Sequence, residues 1–285
     1  MNLTIQEVLN RAFLFLQHHH REPKVAEILL LHHLQYSKAQ LLMELRTSVP
    51  QAIYQAFQAD LQQHVDTGIP VQHLTGVEQF YGRTFTVNQH VLIPRPETEE
   101  LVQYVLGEVK QRSQPLRVLD VGTGSGVIAI TLKLELPSLA VEAGDISADA
   151  LAVARLNAEA LKADITFRES DFLSEWLNQG EQFDLIVSNP PYISWSQQDD
   201  LMDTVKDFDP ELALFADQDG LAAYQQIISN APRLLAKQGC LAFEIGDLQG
   251  KQVQALIKNT FPKSDVAIIK DLNGKDRIVF AKKRV

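Results

Sequence analysis

A glycine-rich loop between a strand-like and a helix-like segment constrains the fold of this 285-residue chain more than any other feature. Residues 116–121 read LRVLDV, an apolar run typical of a buried strand, and residues 127–132 read VIAITL, which is typical of a packed helix. Residues 122–126 between them are Gly-Thr-Gly-Ser-Gly. Because glycine lets the backbone approach a ligand closely at a helix N-terminus, the segment predicts a ligand-binding turn in an α/β sheet.

The loop alone leaves the identity of its ligand open. Residues 124–129 also satisfy the dinucleotide pattern G-x-G-x-x-G/A, so NAD is not excluded, and a tight turn without any ligand is the simplest structural interpretation. The next strand-like segment, residues 139–144, ends at Asp145, where a carboxylate can hold ribose hydroxyls. The pattern is therefore typical of nucleotide cofactors in general.

The motif Asn189-Pro190-Pro191-Tyr192 carries the most chemical information, and it follows a strand-like run at residues 183–188. Each proline fixes its own φ angle and pushes the preceding residue out of the α region, so the turn is stiff. The asparagine amide donates and accepts hydrogen bonds, the proline carbonyls accept them, and the tyrosine ring offers a flat face. A proline-rich turn at a strand end also explains the pattern. As a binding site, these groups suit a planar partner bearing an NH2 group, such as an amide or a base amine.

The order of these segments along the chain favours one class of enzyme. The glycine loop follows the first strand, Asp145 the second, Asp171-Phe172 the third and Asn189 the fourth. In an open α/β sheet all these strand ends lie on the ligand-binding edge. The sequence in this respect resembles the class I S-adenosylmethionine-dependent methyltransferases, whose amino-methylating members place such a motif after the fourth strand. The resemblance implies a Rossmann-like, seven-stranded, mostly parallel sheet with a C-terminal antiparallel hairpin.

Further segments narrow the resemblance. The most specific is LIPRPETE at residues 92–99, and the others are FYG, FTV, FDP, DGL, FEIG and DLNGKDR at residues 80–82, 85–87, 208–210, 219–221, 243–246 and 271–277. Together they resemble the HemK/PrmC family, the protein-(glutamine-N5) methyltransferases of peptide chain release factors. The resemblance implies methyl transfer from S-adenosyl-L-methionine to the glutamine of the Gly-Gly-Gln motif in class-1 release factors.

The resemblance also implies a role for each candidate residue of the cofactor site. Asp145 would hold the ribose hydroxyls, Asp171 would reach the adenine amine, and Phe172 would pack on adenine at a position where the family often has tryptophan. The methionine portion would lie over Gly122, Thr123, Gly124, Ser125 and Gly126. Asn189 is expected to border the cofactor as well as the substrate.

In the implied substrate site, the glutamine amide donates its NH2 group to the Asn189 side chain and the Pro190 carbonyl. Tyr192 packs against the plane of the amide, and Pro191 completes the clamp. Two alternatives remain open at this point. An adenine-N6 DNA or RNA methyltransferase would use the same clamp, although a net charge of −10 and the lack of a basic run disfavour nucleic acid. A non-catalytic or NAD-binding α/β protein would have the motif by coincidence.

Apolar periodicity predicts the domain organisation. Residues 1–70 predict a small helical bundle that would bind the substrate, residues 71–96 a hairpin-containing linker, and residues 97–285 the methyltransferase domain. Strands and helices alternate through most of the last region, which is the signature of a parallel sheet. Residues 194–219 are long, polar and acidic, and they predict a loop over the substrate channel.

Composition adds three expectations. The only cysteine, Cys240, lies in an apolar run and is expected to be a buried strand residue. Seven of the eight histidines fall within residues 1–75, but their spacing matches no zinc pattern, so no metal site is predicted. The sequence shows neither a membrane span nor a signal segment, and we expect a cytoplasmic protein without a membrane partner.

Overall fold

The computed structural model describes residues 3–112, 115–177 and 179–284, which pack into two compact units. The first unit holds the residues up to Gly76 together with Met202–Phe208. The second holds Val77–Leu201 and the residues from Asp209 onward. Within the described ranges, no helix is both long and apolar enough to cross a membrane.

The first unit begins with five helices: α1 (Ile5–His18), α2 (Lys24–Leu34), α3 (Lys38–Met43), α4 (Gln51–Thr67) and α5 (Val71–Thr75). Thr4 and Ser37 start α1 and α3 with capping boxes, and Gly68 ends α4 in a left-handed conformation. The apolar stripe of α1 forms part of the core of the unit through Ile5, Val8, Leu9, Ala12 and Leu16. These helices confirm the predicted helical region, and the short α5 lies within residues 71–96, for which a hairpin-containing linker was predicted.

The second unit begins with an antiparallel hairpin of β1 (Val77–Phe80) and β2 (Arg83–Thr86), followed by α6 (Pro96–Val109). Strands and helices then alternate: β3 (Arg117–Val121), α7 (Val127–Glu135), β4 (Ala140–Asp145), α8 (Ala148–Leu161), β5 (Thr166–Glu169) and β6 (Phe183–Ser188). Each predicted strand and each predicted helix of this region is confirmed. These strands are four to six residues long, which is the length that the sequence pattern indicates, and β3 and β6 are buried along most of their length, whereas only Phe167 is buried in β5.

A series of short elements follows β6. These are β7 (Ile193–Ser194), a 3-10 helix (Trp195–Asp200), α9 (Asp203–Lys206), α10 (Glu211–Leu214), β8 (Phe215–Ala216) and α11 (Asp217–Gly220). The sequence predicted an irregular loop over residues 194–219, and this prediction was wrong because the segment contains short helices and strands. Elements of two to six residues are too brief to show a hydrophobic period, so the sequence pattern gave no sign of them. Of these, α9 belongs to the first unit.

The chain ends with α12 (Ala222–Leu234), β9 (Leu235–Glu244), α13 (Gly250–Thr260), β10 (Asp265–Lys270) and β11 (Asp276–Lys282). Seven strands form one sheet in the order β10-β11-β9-β6-β3-β4-β5. The five strands from β9 to β5 run parallel, and β11 is antiparallel to both β9 and β10. This topology confirms the predicted α/β class and its C-terminal antiparallel hairpin. Cys240 is a buried residue of β9, as predicted.

Apolar layers cover both faces of the sheet. Val118 of β3 packs on the face covered by α6, α7 and α8, and its neighbour Leu119 packs on the face covered by α12 and α13. The chain passes from β3 to β4 on one side and later returns to β6 on the other side of β3. Val121 lies opposite Ser188 in this pairing, so the loops after β3 and β6 leave the sheet side by side. Such a switch point is where open α/β sheets bind ligands.

Candidate active site

A cavity of about 310 Å³ lies at the carboxyl ends of β3, β4 and β6. Nine of the predicted site residues line it, namely Gly122, Thr123, Gly124, Ser125, Asp145, Asp171, Phe172, Asn189 and Pro191. Among the described residues, Gly126, Pro190 and Tyr192 stand outside this lining. Thr98 of α6, Phe215 of β8 and Gln226 of α12 also line the cavity, although the sequence did not single them out.

The glycine loop presents backbone to the cavity. Gly122 and Gly124 have φ angles of 72° and 55°, and a Cβ atom on either would meet nothing within 4 Å. Gly126 differs, because a Cβ atom there would lie 2.9 Å from Cδ1 of Ile130 and 3.3 Å from Cβ of Ala154. The first two glycines therefore keep the wall open, whereas Gly126 allows α7 to pack closely against α8.

Asp145 ties the end of β4 to this loop. Its Oδ2 accepts a hydrogen bond from the Gly124 N–H at 2.8 Å, and its Oδ1 accepts one from the Ser147 N–H at 3.0 Å. Burial raises the pKa of the Asp145 carboxyl, while these backbone donors oppose the shift. Each carboxylate oxygen keeps a further lone pair, so the group can still accept hydrogen bonds from a ligand.

Asp120 is an acidic residue that the sequence analysis missed. It is fully buried in β3, where its Oδ2 accepts hydrogen bonds from the Thr123 hydroxyl at 2.7 Å and the Ala129 N–H at 3.2 Å. Burial raises its pKa to about 7. The carboxyl thus links the beginning of the glycine loop to the first turn of α7. The sequence did contain a signal for this residue, because an acidic side chain inside the apolar run of residues 116–121 indicates a buried carboxyl group.

Phe172 lines the cavity in an unusual backbone conformation. Its φ angle is 48°, in the left-handed region that a bulky residue adopts rarely. The Ser170 hydroxyl holds the turn by donating to the Phe172 carbonyl at 3.1 Å and accepting from the Glu175 N–H at 3.2 Å. Such strain of about 1–3 kcal/mol is typical of residues that a site holds in a fixed position. The neighbouring Asp171 is exposed.

Asn189 belongs to a hydrogen-bonded chain of three side chains. Its Nδ2 donates to Oγ1 of Thr98 at 3.2 Å, and the Thr98 hydroxyl donates to Oε2 of Glu244 at 2.6 Å. Thr98 and Glu244 are 3% and 1% exposed, so water does not compete for these bonds. Burial raises the pKa of Glu244 to about 7. The sequence indicated Glu244 only as a candidate hydrogen-bond acceptor at a strand end and gave Thr98 no role, because the two meet only when α6 and β9 pack together.

Tyr192 lies on the far side of the Asn-Pro turn. Its ring packs against the core layer under α12 and α13, and its backbone carbonyl accepts a hydrogen bond from Nε2 of Gln249 at 2.9 Å. Burial and the negative charge of Glu244 raise the pKa of the Tyr192 hydroxyl to about 12. The tyrosine is therefore neutral at physiological pH.

An ion pair lies at the N-terminus of α6. Nη2 of Arg95 lies 2.6 Å from Oδ2 of the buried Asp209, whose other oxygen accepts the Ile93 N–H at 3.5 Å. Burial raises the pKa of Asp209, and the charge of Arg95 opposes this shift. Since Arg95 and the adjacent Pro210 both line the cavity, the pair fixes one side of its wall.

Comparisons with known proteins identify the family of the chain. Residues 7–76 match the family described as PrmC N-terminal domain, and residues 101–208 match the Methyltransferase small domain. A release factor glutamine methyltransferase of Bacillus cereus is 42% identical over 281 residues, which cover 98% of this chain and 99% of that protein. The Bacillus subtilis protein of the same name is also 42% identical over 281 residues, covering 98% and 97%.

A solved structure shares the fold at lower identity. The 16S rRNA N2 G1207 methyltransferase RsmC of T. thermophilus, in complex with AdoMet and guanosine, is 17% identical with a TM-score of 0.53. The match covers 73% of this chain and 50% of that chain, which supports a class I methyltransferase fold. The two Bacillus relatives are similar over nearly their whole length, and the chain therefore belongs to the release factor glutamine methyltransferase family.

Proposed function

We propose that this protein transfers a methyl group from S-adenosyl-L-methionine to the side-chain amide nitrogen (N5) of the glutamine in the Gly-Gly-Gln motif of class-1 peptide chain release factors. The observation that carries the proposal is the position of Asn189. Its side chain lines the same cavity as the glycine loop, and Thr98 engages its NH2 group. The oxygen of the side chain is then the atom available to a substrate amide. The family of the chain supplies the substrate class.

The cavity lining fits S-adenosylmethionine. The open sides of Gly122 and Gly124 leave room for the methionine portion, and Asp145 keeps lone pairs for ribose hydroxyls. The flat ring of Phe172 suits the adenine base. When bound, the cofactor supplies a methyl group on a positively charged sulfonium with a neutral leaving group.

The contribution of the protein to the reaction is mainly positioning. A glutamine amide nitrogen is a poor nucleophile because its lone pair is delocalised into the carbonyl. Asn189 Oδ1 would accept one N–H of the amide, which holds the nitrogen in place and favours a more localised lone pair. Acceptance of the second N–H by the Pro190 carbonyl stays a prediction, because Pro190 stands outside the cavity lining. Well-oriented groups gain about 7–11 kcal/mol over the reaction in free solution. A contact of the Tyr192 ring with the amide plane stays a prediction.

The adenine-N6 alternative would place a base amine against the same asparagine. The relatives at 42% identity are named for a release factor substrate, and the protein carries a net charge of −10. Both observations favour the glutamine amide of a protein over a nucleic acid.

We assign the helical unit to binding the release factor at a distance from the reacting glutamine. Residues 7–76 match the N-terminal domain of the family rather than its methyltransferase domain. Exposed apolar side chains on α1 and α3 are suited to a protein partner, namely Leu14, Leu42 and Met43.

A competition between substrates tests the proposed function. The protein is incubated with methyl-labelled S-adenosylmethionine and, in parallel, with an unmethylated release factor or with adenine-containing DNA and RNA. We expect label in the release factor and none in the nucleic acids. Label in nucleic acid alone would replace the glutamine assignment by the adenine assignment. A release factor whose glutamine is changed to alanine in the Gly-Gly-Gln motif is the matched control, and it should take up no label.

A further inference from the structure

The buried chain from Glu244 through Thr98 to Asn189 controls which way the Asn189 amide faces. A threonine hydroxyl has one proton to donate and lone pairs to accept with. Because the Thr98 proton is directed to Oε2 of Glu244, its oxygen accepts, and the partner that fits is the NH2 group of Asn189. The Asn189 oxygen is thereby turned away from Thr98.

A substrate amide needs this orientation. An amide nitrogen about to be methylated presents N–H groups, and these require an acceptor. If the Asn189 side chain were rotated by half a turn, its own NH2 group would face the NH2 group of the substrate. Two donors facing each other in a desolvated site leave both unsatisfied, which is costly.

We propose that Thr98 and Glu244 are positioning residues that hold the Asn189 amide with its oxygen toward the substrate. The inference rests on the proposed function, since it requires a planar substrate bearing an NH2 group. Neither residue needs to touch the substrate amide, because both act through Asn189.

The charge of Glu244 sets the direction of the chain. An ionised carboxylate can only accept, so Thr98 must donate to it. A protonated Glu244 can donate to Thr98, whose own proton is then free to point at the Asn189 oxygen, and the amide would reverse. Burial raises the pKa of Glu244 to about 7, close enough to neutrality for this reversal to be reached in mild acid.

Several ionisable groups face Glu244 and modify its titration. Arg277 of β11 and an interaction with the Asn189 side chain favour the ionised form, whereas Glu97 of α6 opposes it. The hydroxyl of Tyr224 on α12 donates to the Glu244 backbone carbonyl at 2.9 Å, and Tyr192 follows β6. Both tyrosines have raised pKa values because they are buried, so they stay neutral while Glu244 titrates.

The first test compares three variants with the wild-type protein. Thr98→Val keeps the shape of the side chain but removes both hydrogen bonds, and we expect it to lower kcat about 10- to 100-fold. Thr98→Ser keeps the hydroxyl and should stay close to wild type. Thr131→Val is the matched control, because Thr131 is a buried threonine of α7 whose hydroxyl has no hydrogen-bond partner in the described part of the chain. S-adenosylmethionine affinity, measured by calorimetry, should be similar in all four proteins.

The second test follows pH. With wild type, kcat should rise as pH increases through about 7 because Glu244 must be ionised, and Glu244→Gln should lack this rise. The side-chain NH2 resonances of Asn189, identified by their loss in Asn189→Ala, should move over the same pH range in wild type and not in Glu244→Gln. This NMR measurement needs neither substrate nor turnover.

The outcomes distinguish a failure of the proposed function from a failure of the positioning role of Thr98 and Glu244. Wild type that fails to methylate a release factor contradicts the proposed function, while the Asn189 resonances still test the side-chain chain by themselves. Wild type that is active, with Thr98→Val equally active, overturns the positioning role. Asn189 resonances that do not respond to pH in wild type overturn it as well.

Discussion

Nδ2 of Asn189 donates a hydrogen bond to Oγ1 of Thr98 at 3.2 Å, and this bond determines which way the side-chain oxygen of Asn189 faces. Residue-scale chemistry of this kind depends on where each proton points. The sequence predicted Asn189, the glycine loop and Asp145 as site residues, because each follows a strand in a motif of its own. It could not pair Thr98 with Glu244, since their hydrogen bond exists only after α6 and β9 pack together. Asp120 was missed although its partners Thr123 and Ala129 are close to it in the chain.

Changing Asn189 to alanine tests the clamp directly. We expect Asn189→Ala to bind S-adenosylmethionine normally but to lose about 1–3 kcal/mol of transition-state stabilisation, because the substrate N–H would face no acceptor. This corresponds to a loss of about 10- to 100-fold in kcat. Asn10→Ala, on the exposed face of α1, is the control with the same chemical change. Undiminished turnover in Asn189→Ala would rule out the clamp.

The raised pKa of Asp120 predicts how the stability of the folded protein depends on pH. Burial raises its pKa from 3.8 to about 7, so between these values the folded protein holds a proton that the unfolded chain releases. The stabilising contribution is therefore complete below about pH 4 and is lost as pH rises through about 7. Asp120→Asn cannot titrate and should show a weaker fall in urea midpoint between about pH 5 and about pH 8, with Glu244 accounting for the remainder. An unchanged fall in the variant would contradict the assignment.

At the scale of elements, length and periodicity decided what could be predicted. The long helices of both units and the buried strands of the sheet were visible in the sequence because each repeats its apolar pattern. The elements between β6 and α12 were not, since the longest of them has six residues. The parallel pairing of β7 with β8 joins residues too far apart in the chain for any local pattern. Trp195 stacks on Phe215 at the end of this pair, with ring centroids 4.6 Å apart.

The turn before α12 depends on Gly220. Its φ angle is 82°, and a Cβ atom there would lie 2.1 Å from the backbone oxygen of Tyr192. Gly82 has a similar φ angle of 72° but open space around it, so Gly82→Ala measures the conformational cost alone, about 1 kcal/mol. We expect Gly220→Ala to destabilise the second unit by about 1–3 kcal/mol more, because backbone atoms must move.

Tryptophan fluorescence during urea unfolding measures this difference, since both tryptophans, Trp176 and Trp195, belong to the second unit. Equal midpoints for the two alanine variants would show that Gly220 is required for its backbone angle only.

At the scale of the whole molecule, the chain forms two compact units. The second carries the cavity and every predicted site residue, and the first is a helical bundle that also takes in Met202–Phe208. Sequence reasoning located the helical region, but it could not assign this later segment to it, because such packing leaves no local signal.

The proposed role of the helical unit leads to a prediction about the affinity for the release factor. Leu42→Ser with Met43→Ser should raise KM for a release factor while leaving kcat and cofactor affinity unchanged, because both side chains are exposed and lie outside the cavity. Leu156→Ser, at an exposed leucine of α8 in the second unit, is the control. An unchanged KM in the double variant would remove these residues from the docking surface.

Peptide mass spectrometry of a release factor locates the methyl group that this protein is proposed to transfer. An unmethylated class-1 release factor is incubated with the protein and S-adenosylmethionine, digested, and fragmented to locate the modification. The account predicts one added methyl group on the side-chain nitrogen of the glutamine in the Gly-Gly-Gln motif, and no such product with Asn189→Ala. A methyl group on any other residue, or an unmodified release factor when cofactor binding is intact, would contradict it.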